Sequence, residues 1–273
     1  MLTSAQPPFA TNASEAGTGN REEAVRHVVT WLHIRDEARD LYHIDYFHFP
    51  GPPQDTNRHN LQDYRMAGVR QSLEFLGPRL FPNYDQHMLA HWMRKFDTFG
   101  RLDLVYTTQG RLVAFHIYKM GELQSNAGLV KVIYVEHSGT DPDYEGRGIT
   151  RSVRNIIFER ETPDVICGSS ANGAIYLANK RIAEQCAMVL YPRDAHTPTS
   201  VVVLAHQIHD ALGLHNAALD DRLVRTYTGP VSRGKIVHPL HDILPLEETQ
   251  HYFYMLLQPG LNQALLLSKE ENR

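Results

Sequence analysis

The sequence predicts an α/β fold built on a mixed, largely antiparallel sheet with helices on both faces. Three patterns support this prediction. Helical periodicity gives way to strand-like runs near residue 100, the first two of these runs form a hairpin pattern, and a glycine-bearing loop then separates a strand from an amphipathic helix. The chain has 273 residues, of which 42% are hydrophobic, so it is long enough for one large domain or two small ones.

Composition narrows the function classes before any motif is considered. The formal net charge of -4 provides no basic field for nucleic acid, and no apolar run is long enough to span a bilayer. Two cysteines, Cys167 and Cys186, are too few for a disulfide framework and favour a reducing, cytoplasmic setting. Residues 1–20 have neither the basic nor the apolar part of a signal peptide, so we expect a flexible tail followed by a single domain over 21–273.

The first part of the chain contains helical patterns interrupted by proline. Residues 21–49 fit either one amphipathic helix or a strand at VVTWLHI, because periodicity alone does not separate short apolar runs. Residues 50–60, which are rich in proline and asparagine, are predicted to form a loop. Two helices are expected next, at LQDYRMAGVRQSLEFL and at DQHMLAHWMRKF, with GPRLFPNY breaking the chain between them.

Strand signals dominate after Gly100. An antiparallel hairpin is predicted for LDLVYTT and RLVAFHIYKM, which flank a Gln-Gly turn. An interior strand is expected at LVKVIYVEHSG, which is apolar on both faces through Val135. Further along we predict strands at PDVICGSS and AMVLYPR, with a helix at ANGAIYLANKRIAEQCA between them.

The last third of the chain has a less regular pattern. Within 194–249 we expect a helix at SVVVLAHQIHDALGLH and a hairpin across Gly229-Pro230. The segment HYFYMLLQPGLNQALLLSK is predicted to form two strands around Pro259-Gly260.

The loop after the interior strand has the chemistry of an anion site. Gly146 and Gly148 flank Arg147, and a helical pattern starts directly after them. The first N–H groups of a helix lack intrahelical partners, and glycine lets a ligand approach the backbone closely. Because Arg147 and Arg151 add positive charge, the expected ligand is a phosphate or diphosphate. A P-loop is excluded because Gly-Lys-Ser/Thr is absent, and a Rossmann fingerprint because the third glycine is missing.

At this loop the chain resembles the GNAT superfamily of acyl-CoA-dependent N-acetyltransferases. The family signature Gln/Arg-x-x-Gly-x-Gly/Ala matches 145–150, with Glu145 in place of Gln or Arg and Thr150 in place of the small last residue. The resemblance covers 61–193 and leaves 21–60 as an extension and 194–249 as an insertion. It implies a splayed sheet, acetyl-CoA or another acyl-CoA as co-substrate, and direct transfer of the acyl group to a primary amine.

The resemblance also implies a set of contacts with CoA. Where the fourth and fifth strands of the family splay apart, the pantetheine arm pairs with open backbone groups, which here fall at 135–138. The loop then holds the diphosphate, and two helix asparagines add further contacts. The implied CoA-binding residues are Val135, His137, Ser138, Gly146, Arg147, Gly148, Ile149, Thr150, Arg151, Asn172 and Asn179.

Two residues are predicted to perform the proton transfers. Glu136 is the candidate base, because a charge at the end of an apolar central strand is unusual; a hydrated or arginine-paired glutamate is the alternative. His137 is a second candidate base, although strand alternation points it to the other face. Tyr176 is the candidate acid that protonates the leaving thiolate, with a core tyrosine as the alternative. The matching family tyrosine falls one turn later, where this chain has Asn179.

The predicted function is therefore acyl transfer from acyl-CoA to a primary amine of a small molecule or peptide. No metal, nucleic acid or membrane is expected to take part, and a homodimer is left open. A non-catalytic GNAT-like protein that binds acyl-CoA is the main alternative, favoured by Glu145 and by the displaced tyrosine.

A His-rich metal-dependent enzyme is the lesser alternative. The chain has 16 histidines, and a metal could be held by the pair in HMLAHW or by His206, His209 and His215. Polar helical faces explain these spacings as well. Four basic residues are expected to line a surface: Arg222, Arg225, Arg233 and Lys235.

Overall fold

The structure is a computed structural model in which two compact units are recognised. It describes residues 26–32, 41–47, 64–80, 101–194, 196–228 and 237–267, with the backbone alone for 26–32, 41–47 and 64–70. Unit 1 takes its described residues from Met1–Ile117 and His137–Ile149, and unit 2 takes its residues from Tyr118–Glu136 and Thr150–Arg273. The tail at 1–20, the loop at 50–60 and the second predicted helix lie outside the described residues.

The described residues of unit 1 form a sheet and one α-helix. Its elements are β1 (Arg26–Leu32), β2 (Leu41–Phe47), α1 (Tyr64–Leu80), β3 (Arg101–Thr107), the first part of β4 (Leu112–Ser125) and the last part of β5 (Gly128–Thr140). Neighbouring strands follow the order β1-β2-β3-β4-β5. Both β1 and β3 pair antiparallel with β2 along its full length. The strand interpretation of 21–49 is therefore confirmed, and the single amphipathic helix is wrong.

Helix α1 extends further than its sequence predicts. The helix was expected to end before the segment GPRLFPNY, but it continues to Leu80 and contains Pro78 in its last turn. Proline removes one backbone donor from a helix, and near the helix end this loss affects few bonds. The side chain of Arg79 in the same turn forms ion pairs with Asp141 and Asp143, which hold the turn in place.

The hairpin predicted in unit 1 is confirmed. Strand β3 is buried along its whole length and is followed by a turn in which the Gly110 amide donates to the Thr107 carbonyl. Arg101 and Asp103 form a fully buried ion pair within β3, at 2.9 Å between Nη2 and Oδ1. Two opposite charges at this distance compensate each other, which a single buried charge could not do.

Unit 2 contains the remaining strands and most helices of the described chain. Its elements beyond the shared strands β4 and β5 are α2 (Ile149–Glu161, whose first residue belongs to unit 1), β6 (Val165–Ser170), α3 (Gly173–Gln185), β7 (Val189–Tyr191), α4 (Thr199–Ala211), β8 (Ala218–Leu219), β9 (Val224–Thr226), β10 (Gln250–Leu257) and α5 (Pro259–Leu267). Neighbouring strands follow the order β4-β5-β6-β10-β9-β8, and β7 pairs with β10. The predicted elements between 163 and 211 are confirmed.

One prediction for the end of the chain needs correction, and another falls partly outside the described residues. The run after β10 was expected to be a strand, but Pro259–Leu267 forms α5. Proline suits the first turn of a helix, and leucine, glutamine and alanine favour helix over strand. The predicted hairpin across Gly229-Pro230 lies partly outside the described residues, and β9, within its first half, pairs with β8 and β10.

The parallel pair β5–β6 distinguishes this sheet from an all-antiparallel one. Its register runs from Val132–Val165 to Val135–Gly168 and ends there, although β5 continues to Thr140 and β6 to Ser170. Strand β10 pairs antiparallel with β6 through Ser170. Gly168 lies opposite Tyr254, and an added Cβ would be only 2.7 Å from the Cζ atom of that ring. The sheet thus has the mixed, mostly antiparallel character that the sequence predicts.

The sheet of unit 2 has helices on both faces. One face packs against α4, and this core includes Val132, Tyr134, Cys167, Val201, Ala205, Ile208, Phe253 and Met255. Tyr252 points away from this core, and its ring lies 4.0 Å from that of His238, which in turn contacts Tyr176 of α3. Within the described residues, no helix is both long enough and apolar enough to cross a membrane.

Candidate functional site

The glycine loop of unit 1 forms a tight turn that leads directly into α2. Gly146 and Gly148 have φ angles of +74° and +82°, in the left-handed region where side chains are strained. Ile149, the first residue of α2, is buried. The predicted arrangement of a glycine turn followed by a helix is therefore confirmed, and the amides that open α2 follow the turn without interruption.

Aromatic and basic side chains cover part of this loop. The Arg147 guanidinium lies 5.1 Å from the ring centroid of Tyr144, and the Tyr144 ring is buried. Such a cation–π contact orients the arginine without removing its charge. Glu145 is exposed, and its amide closes the preceding 3-10 turn by donating to the Pro142 carbonyl at 3.3 Å.

A buried carboxylate anchors the start of the loop. Asp141 is fully buried and accepts two hydrogen bonds from Arg79, at 3.0 Å and 2.8 Å, and one from Arg111 at 2.5 Å. It also accepts from the amide of Asp143 at 3.0 Å, which caps the 3-10 turn Pro142–Tyr144. Both arginines also approach Asp143, at 2.7 Å and 3.6 Å. Asp141 therefore caps the turn and also carries ion pairs that the sequence did not predict.

Opposing effects act on the pKa of Asp141. Burial raises the pKa of this carboxyl, but the hydrogen bonds from Arg79, the Asp143 amide and Arg111 outweigh burial and hold the pKa below its ordinary value. The carboxylate is therefore ionised at neutral pH, and the charged pairs that fix the loop persist.

Glu136, the candidate base, lies in unit 2 just past the end of the β5–β6 ladder. Its side chain is only 6% exposed, and its Oε1 atom is 3.9 Å from Nζ of Lys119. Lys119 also donates to the Leu212 carbonyl at 3.1 Å, at the end of α4. Glu136 is therefore buried rather than hydrated at the surface. It lies on the α4 face of the sheet beside a lysine.

Arg225 forms a clamp that the sequence did not reveal. Its guanidinium is 1% exposed, so the expectation that this residue lines a surface is wrong. Strand β9 lies beside β10 and directs the side chain inward. It donates to four neutral oxygen atoms: the Tyr134 hydroxyl at 2.7 Å, Ser169 Oγ at 3.1 Å, the Leu214 carbonyl at 2.8 Å and Asn216 Oδ1 at 2.9 Å.

The clamp places a cation beside a buried phenol. Burial raises the pKa of Tyr134 well above its ordinary value, and the charge of Arg225 only partly opposes this effect. Tyr134 therefore stays protonated at neutral pH and accepts the arginine hydrogen bond through its oxygen. Because Tyr134 and Glu136 are two residues apart on β5, they share the face on which Arg225 lies.

Tyr176, the candidate acid, lies on the opposite face of the unit 2 sheet. Its buried hydroxyl donates to the Pro192 carbonyl at 3.3 Å, and burial, with the Asp194 charge, raises the pKa of the phenol. Its ring centroid is 4.5 Å from that of His238. Burial, with a smaller effect from His241, lowers the pKa of His238 to about 4, so this imidazole is neutral at neutral pH. The structure does not bring Tyr176 and Glu136 together.

The two predicted asparagine contacts have different environments. Asn172 caps α3, because its Oδ1 accepts from the Ala174 amide at 2.9 Å. Asn179 is 0% exposed, and neither its Oδ1 nor its Nδ2 has a hydrogen-bond partner among the described residues. Asn179 is thus buried in the described structure and does not face solvent. Arg154 of α2 is also buried, and two of its nitrogens have no hydrogen-bond partner among the described residues.

The remaining predicted CoA contacts fall in both units. His137 and Ser138 belong to unit 1 and are partly exposed. Val135, Thr150 and Arg151 belong to unit 2, where Val135 is buried and the other two are partly exposed. Val135 forms the last pair of the β5–β6 ladder. Their roles as CoA contacts stay predictions.

Asp141→Asn should destabilise the protein by about 2 kcal/mol at neutral pH, because the amide loses charge-assisted bonds with two arginines. The folded carboxyl has a lowered pKa, so its contribution is fully present above the ordinary value of 3.8 and disappears as the pH falls through the folded value. The difference between wild type and variant in free energy of unfolding, measured by urea denaturation, should therefore shrink below pH 4.

Asp143→Asn is the matched control, since this carboxylate is 58% exposed and its ion pairs are screened by water. It should cost less than about 1 kcal/mol. An Asp141→Asn variant as stable as wild type at pH 7, or one whose deficit does not change with pH, would contradict the anchoring role.

Comparisons with known proteins find similarity among solved structures. No protein-family model matches the chain, and no curated protein does. One similar structure is a probable N-acyltransferase from Enterococcus faecalis V583, with 9% identity over 44% of this chain and 29% of that chain and a TM-score of 0.33. Another is nourseothricin acetyltransferase, with 16% identity over 57% of this chain and 64% of that chain and a TM-score of 0.31. The chain spans less than two thirds of either. A third is the GNAT family N-acetyltransferase YhbS from Escherichia coli in complex with CoA, with 12% identity over 58% of this chain and 70% of that chain and a TM-score of 0.32.

These similarities are partial, and TM-scores below 0.5 say nothing about the activity of this chain. The topology itself is informative: a mixed sheet contains one parallel pair, and a glycine turn leads into the helix that connects the two parallel strands. The described residues therefore have the α/β fold class with a mixed, mostly antiparallel sheet that the sequence predicts.

Proposed function

We propose that the chain is an acyl-CoA-dependent N-acyltransferase that moves an acetyl or other acyl group to a primary amine. The observation that carries this proposal is the turn before α2, in which two left-handed glycines flank Arg147. The acceptor would be a small-molecule or peptide amine, and a cytoplasmic location fits the cysteine content.

The first role assigned is diphosphate binding by the turn and the first residues of α2. Backbone amides of Gly148, Ile149 and Thr150 open the helix, where they lack intrahelical partners and lie at the positive end of the helix dipole. Arg147 adds formal charge, and Arg151 follows within the first turn. Gly146 has no atom within 4 Å of the place where a Cβ would stand, which leaves space beside the backbone.

The second role is binding of the pantetheine arm by β5. The β5–β6 ladder ends at Val135–Gly168 while β5 continues, which supports the proposal that 135–138 offer backbone groups to an extended ligand. An amide at this position could also polarise the thioester carbonyl. The buried, unpaired amide of Asn179 supports a further contact with the carrier, because an unsatisfied buried polar group in a native protein calls for a partner.

The proposed chemistry is direct attack of the amine on the thioester. Glu136 takes a proton from the acceptor ammonium, and the free amine then attacks the acyl carbon. A C–N bond forms, the C–S bond breaks, and the CoA thiolate leaves. Lys119 lies beside Glu136 and offsets its negative charge when no acceptor ammonium is bound.

Protonation of the thiolate is assigned to Tyr176. The phenol carries its proton at neutral pH and so has one to give, although its raised pKa makes it a weaker acid than an ordinary tyrosine. In the structure the Tyr176 hydroxyl donates this proton to the Pro192 carbonyl. During the reaction the hydroxyl would have to leave that carbonyl and donate to the thiolate. The neutral His238 ring beside it would not repel a cationic acceptor.

Gly146→Asp should weaken CoA binding at least tenfold relative to Gly146→Asn. Asp and Asn pay similar costs in the left-handed conformation and both tolerate it better than other side chains, so the pair isolates the added negative charge. Calorimetric titration with acetyl-CoA and with CoA measures the difference. Equal affinities in the two variants would mean that no diphosphate lies at this turn.

Asn179→Leu should have opposite effects on stability and on binding. Replacing a buried, unpaired amide with an apolar side chain of similar size should raise the free energy of unfolding of the ligand-free protein by about 1 kcal/mol. The same change should weaken CoA binding at least tenfold, measured by thermal shift and calorimetry.

Lys180→Ala, at an exposed position of the same helix, should change neither quantity. An Asn179→Leu variant that binds CoA as wild type does would remove this amide from the site.

Glu136→Gln should reduce acyl transfer at least about 100-fold while leaving the Kd for acetyl-CoA within about threefold of wild type. The loss should be largest at low pH, where the free amine is scarcest. CoA release from acetyl-CoA, followed with a panel of amines, measures the rate. Glu122→Gln on β4 is the control, because this side chain is exposed. Unchanged rates at every pH would exclude Glu136 as the base.

A non-catalytic acyl-CoA-binding protein is the second candidate. It is favoured by the placement of Tyr176 and Glu136 on opposite faces and by the glutamate at the start of the loop. Tight CoA binding with no turnover on the amine panel would support this candidate over the enzyme.

A further inference from the structure

A group of metal-ligating side chains lies at the C-terminal end of α4, in unit 2. His209 is buried in the last turn, Asp210 beside it has a side chain that is 75% exposed, and His215 follows shortly after the helix. One ligand atom from each residue lies within 4.8 Å of the others. The two imidazole rings meet nearly at right angles, with centroids 5.6 Å apart.

The end of the helix explains how the two histidines meet. The Leu214 amide donates to the His209 carbonyl at 2.9 Å, and the Gly213 amide donates to the Asp210 carbonyl at 3.0 Å. Gly213 has a φ of +60°. These two bonds form a Schellman motif, in which a left-handed glycine reverses the chain. The reversal brings His215 back beside the last turn of α4.

A hydrogen bond with a backbone carbonyl fixes which nitrogen of His209 is available. Its Nε2 lies 2.9 Å from the Ala217 carbonyl, which can only accept, so the neutral ring carries its proton on Nε2. Its Nδ1 lone pair is then free on the side of Asp210, with Oδ1 at 3.5 Å. This distance is long for a hydrogen bond, and it is close to the roughly 3.4 Å that separates two ligands of a tetrahedral zinc ion with bonds of 2.0–2.1 Å.

We propose that His209, Asp210 and His215 bind a divalent transition-metal ion, with Zn²⁺ the best match. Two imidazoles and one carboxylate form a ligand set that zinc accepts, and a carbonyl partner on the far side of a histidine is its usual support. The C-terminal end of a helix also favours positive charge. A water molecule or an external ligand would complete the coordination.

The ion would fix a turn that two basic side chains already hold. Lys119 donates to the Leu212 carbonyl, and Arg225 donates to the Leu214 carbonyl and to Asn216 Oδ1. These contacts connect the turn at 212–216 with the α4 face of the sheet. The site does not depend on the acyl-transfer proposal, because none of its three ligands takes part in that chemistry.

Titration of the tag-free, EDTA-treated full chain with Zn²⁺ tests the proposal. Calorimetry should find one tight ion per chain, and Co²⁺ should give the visible bands of a tetrahedral site. A hundredfold excess over the Kd should raise Tm by about 5 °C. Binding should weaken at acidic pH, because protons compete with the metal ion for its ligands.

His215→Ala and Asp210→Asn should each weaken the tight site at least tenfold, and both side chains are exposed enough for the variants to fold. His241→Ala is the matched control, since this exposed histidine also lies beside an aspartate, at 3.8 Å, and should leave the site intact. If wild type and all three variants bind zinc with the same affinity and stoichiometry, the proposal is wrong, whatever the outcome of the CoA experiments.

Discussion

The conformation of the loop before α2 depends on one buried carboxylate. Asp141 would be costly to bury alone, and it is compensated by two arginines and a backbone amide. Arg79 comes from α1 and Arg111 from the turn before β4, so the carboxylate joins segments that are far apart in sequence. It thereby fixes the point from which the 3-10 turn and the two left-handed glycines proceed. This ionic cluster thus anchors the turn of unit 1 that precedes α2.

Buried polar groups in unit 2 fall into two classes that suggest different roles. Arg225 donates four hydrogen bonds to neutral oxygens, so it is largely satisfied and acts as an internal brace. Asn179 and Arg154 are equally buried, but atoms of their side chains have no partner among the described residues. Folding does not favour such groups, because each one loses its water without a replacement. The unpaired amide of Asn179 is therefore the basis of its proposed contact with the carrier.

The sequence predicts the order of elements well wherever local chemistry decides the structure. The glycine turn at Gly146 and Gly148 was visible because only glycine readily adopts left-handed backbone angles. Local patterns failed where packing decides. The last apolar run forms α5 after Pro259 although it reads equally well as a strand, and Arg225 belongs to a basic stretch that only the neighbouring strands bury. The burial of Asn179 likewise depends on which face of α3 meets the sheet, which helical spacing alone does not settle.

The histidines of α4 show the same division between local and tertiary information. Helical spacing groups His206 with His209, but His206 instead pairs with Asp221 at 3.2 Å, because the chain returns beside the helix there. The contact of His209 with His215 depends on the left-handed Gly213. A glycine at the end of a helix can be predicted from the sequence, but the residue that the turn brings beside His209 cannot. The reversed turn presents its carbonyls to Lys119, which lies beside Glu136. An ion that stiffened this turn would therefore also restrict the side chain of Lys119, which lies beside the proposed base Glu136.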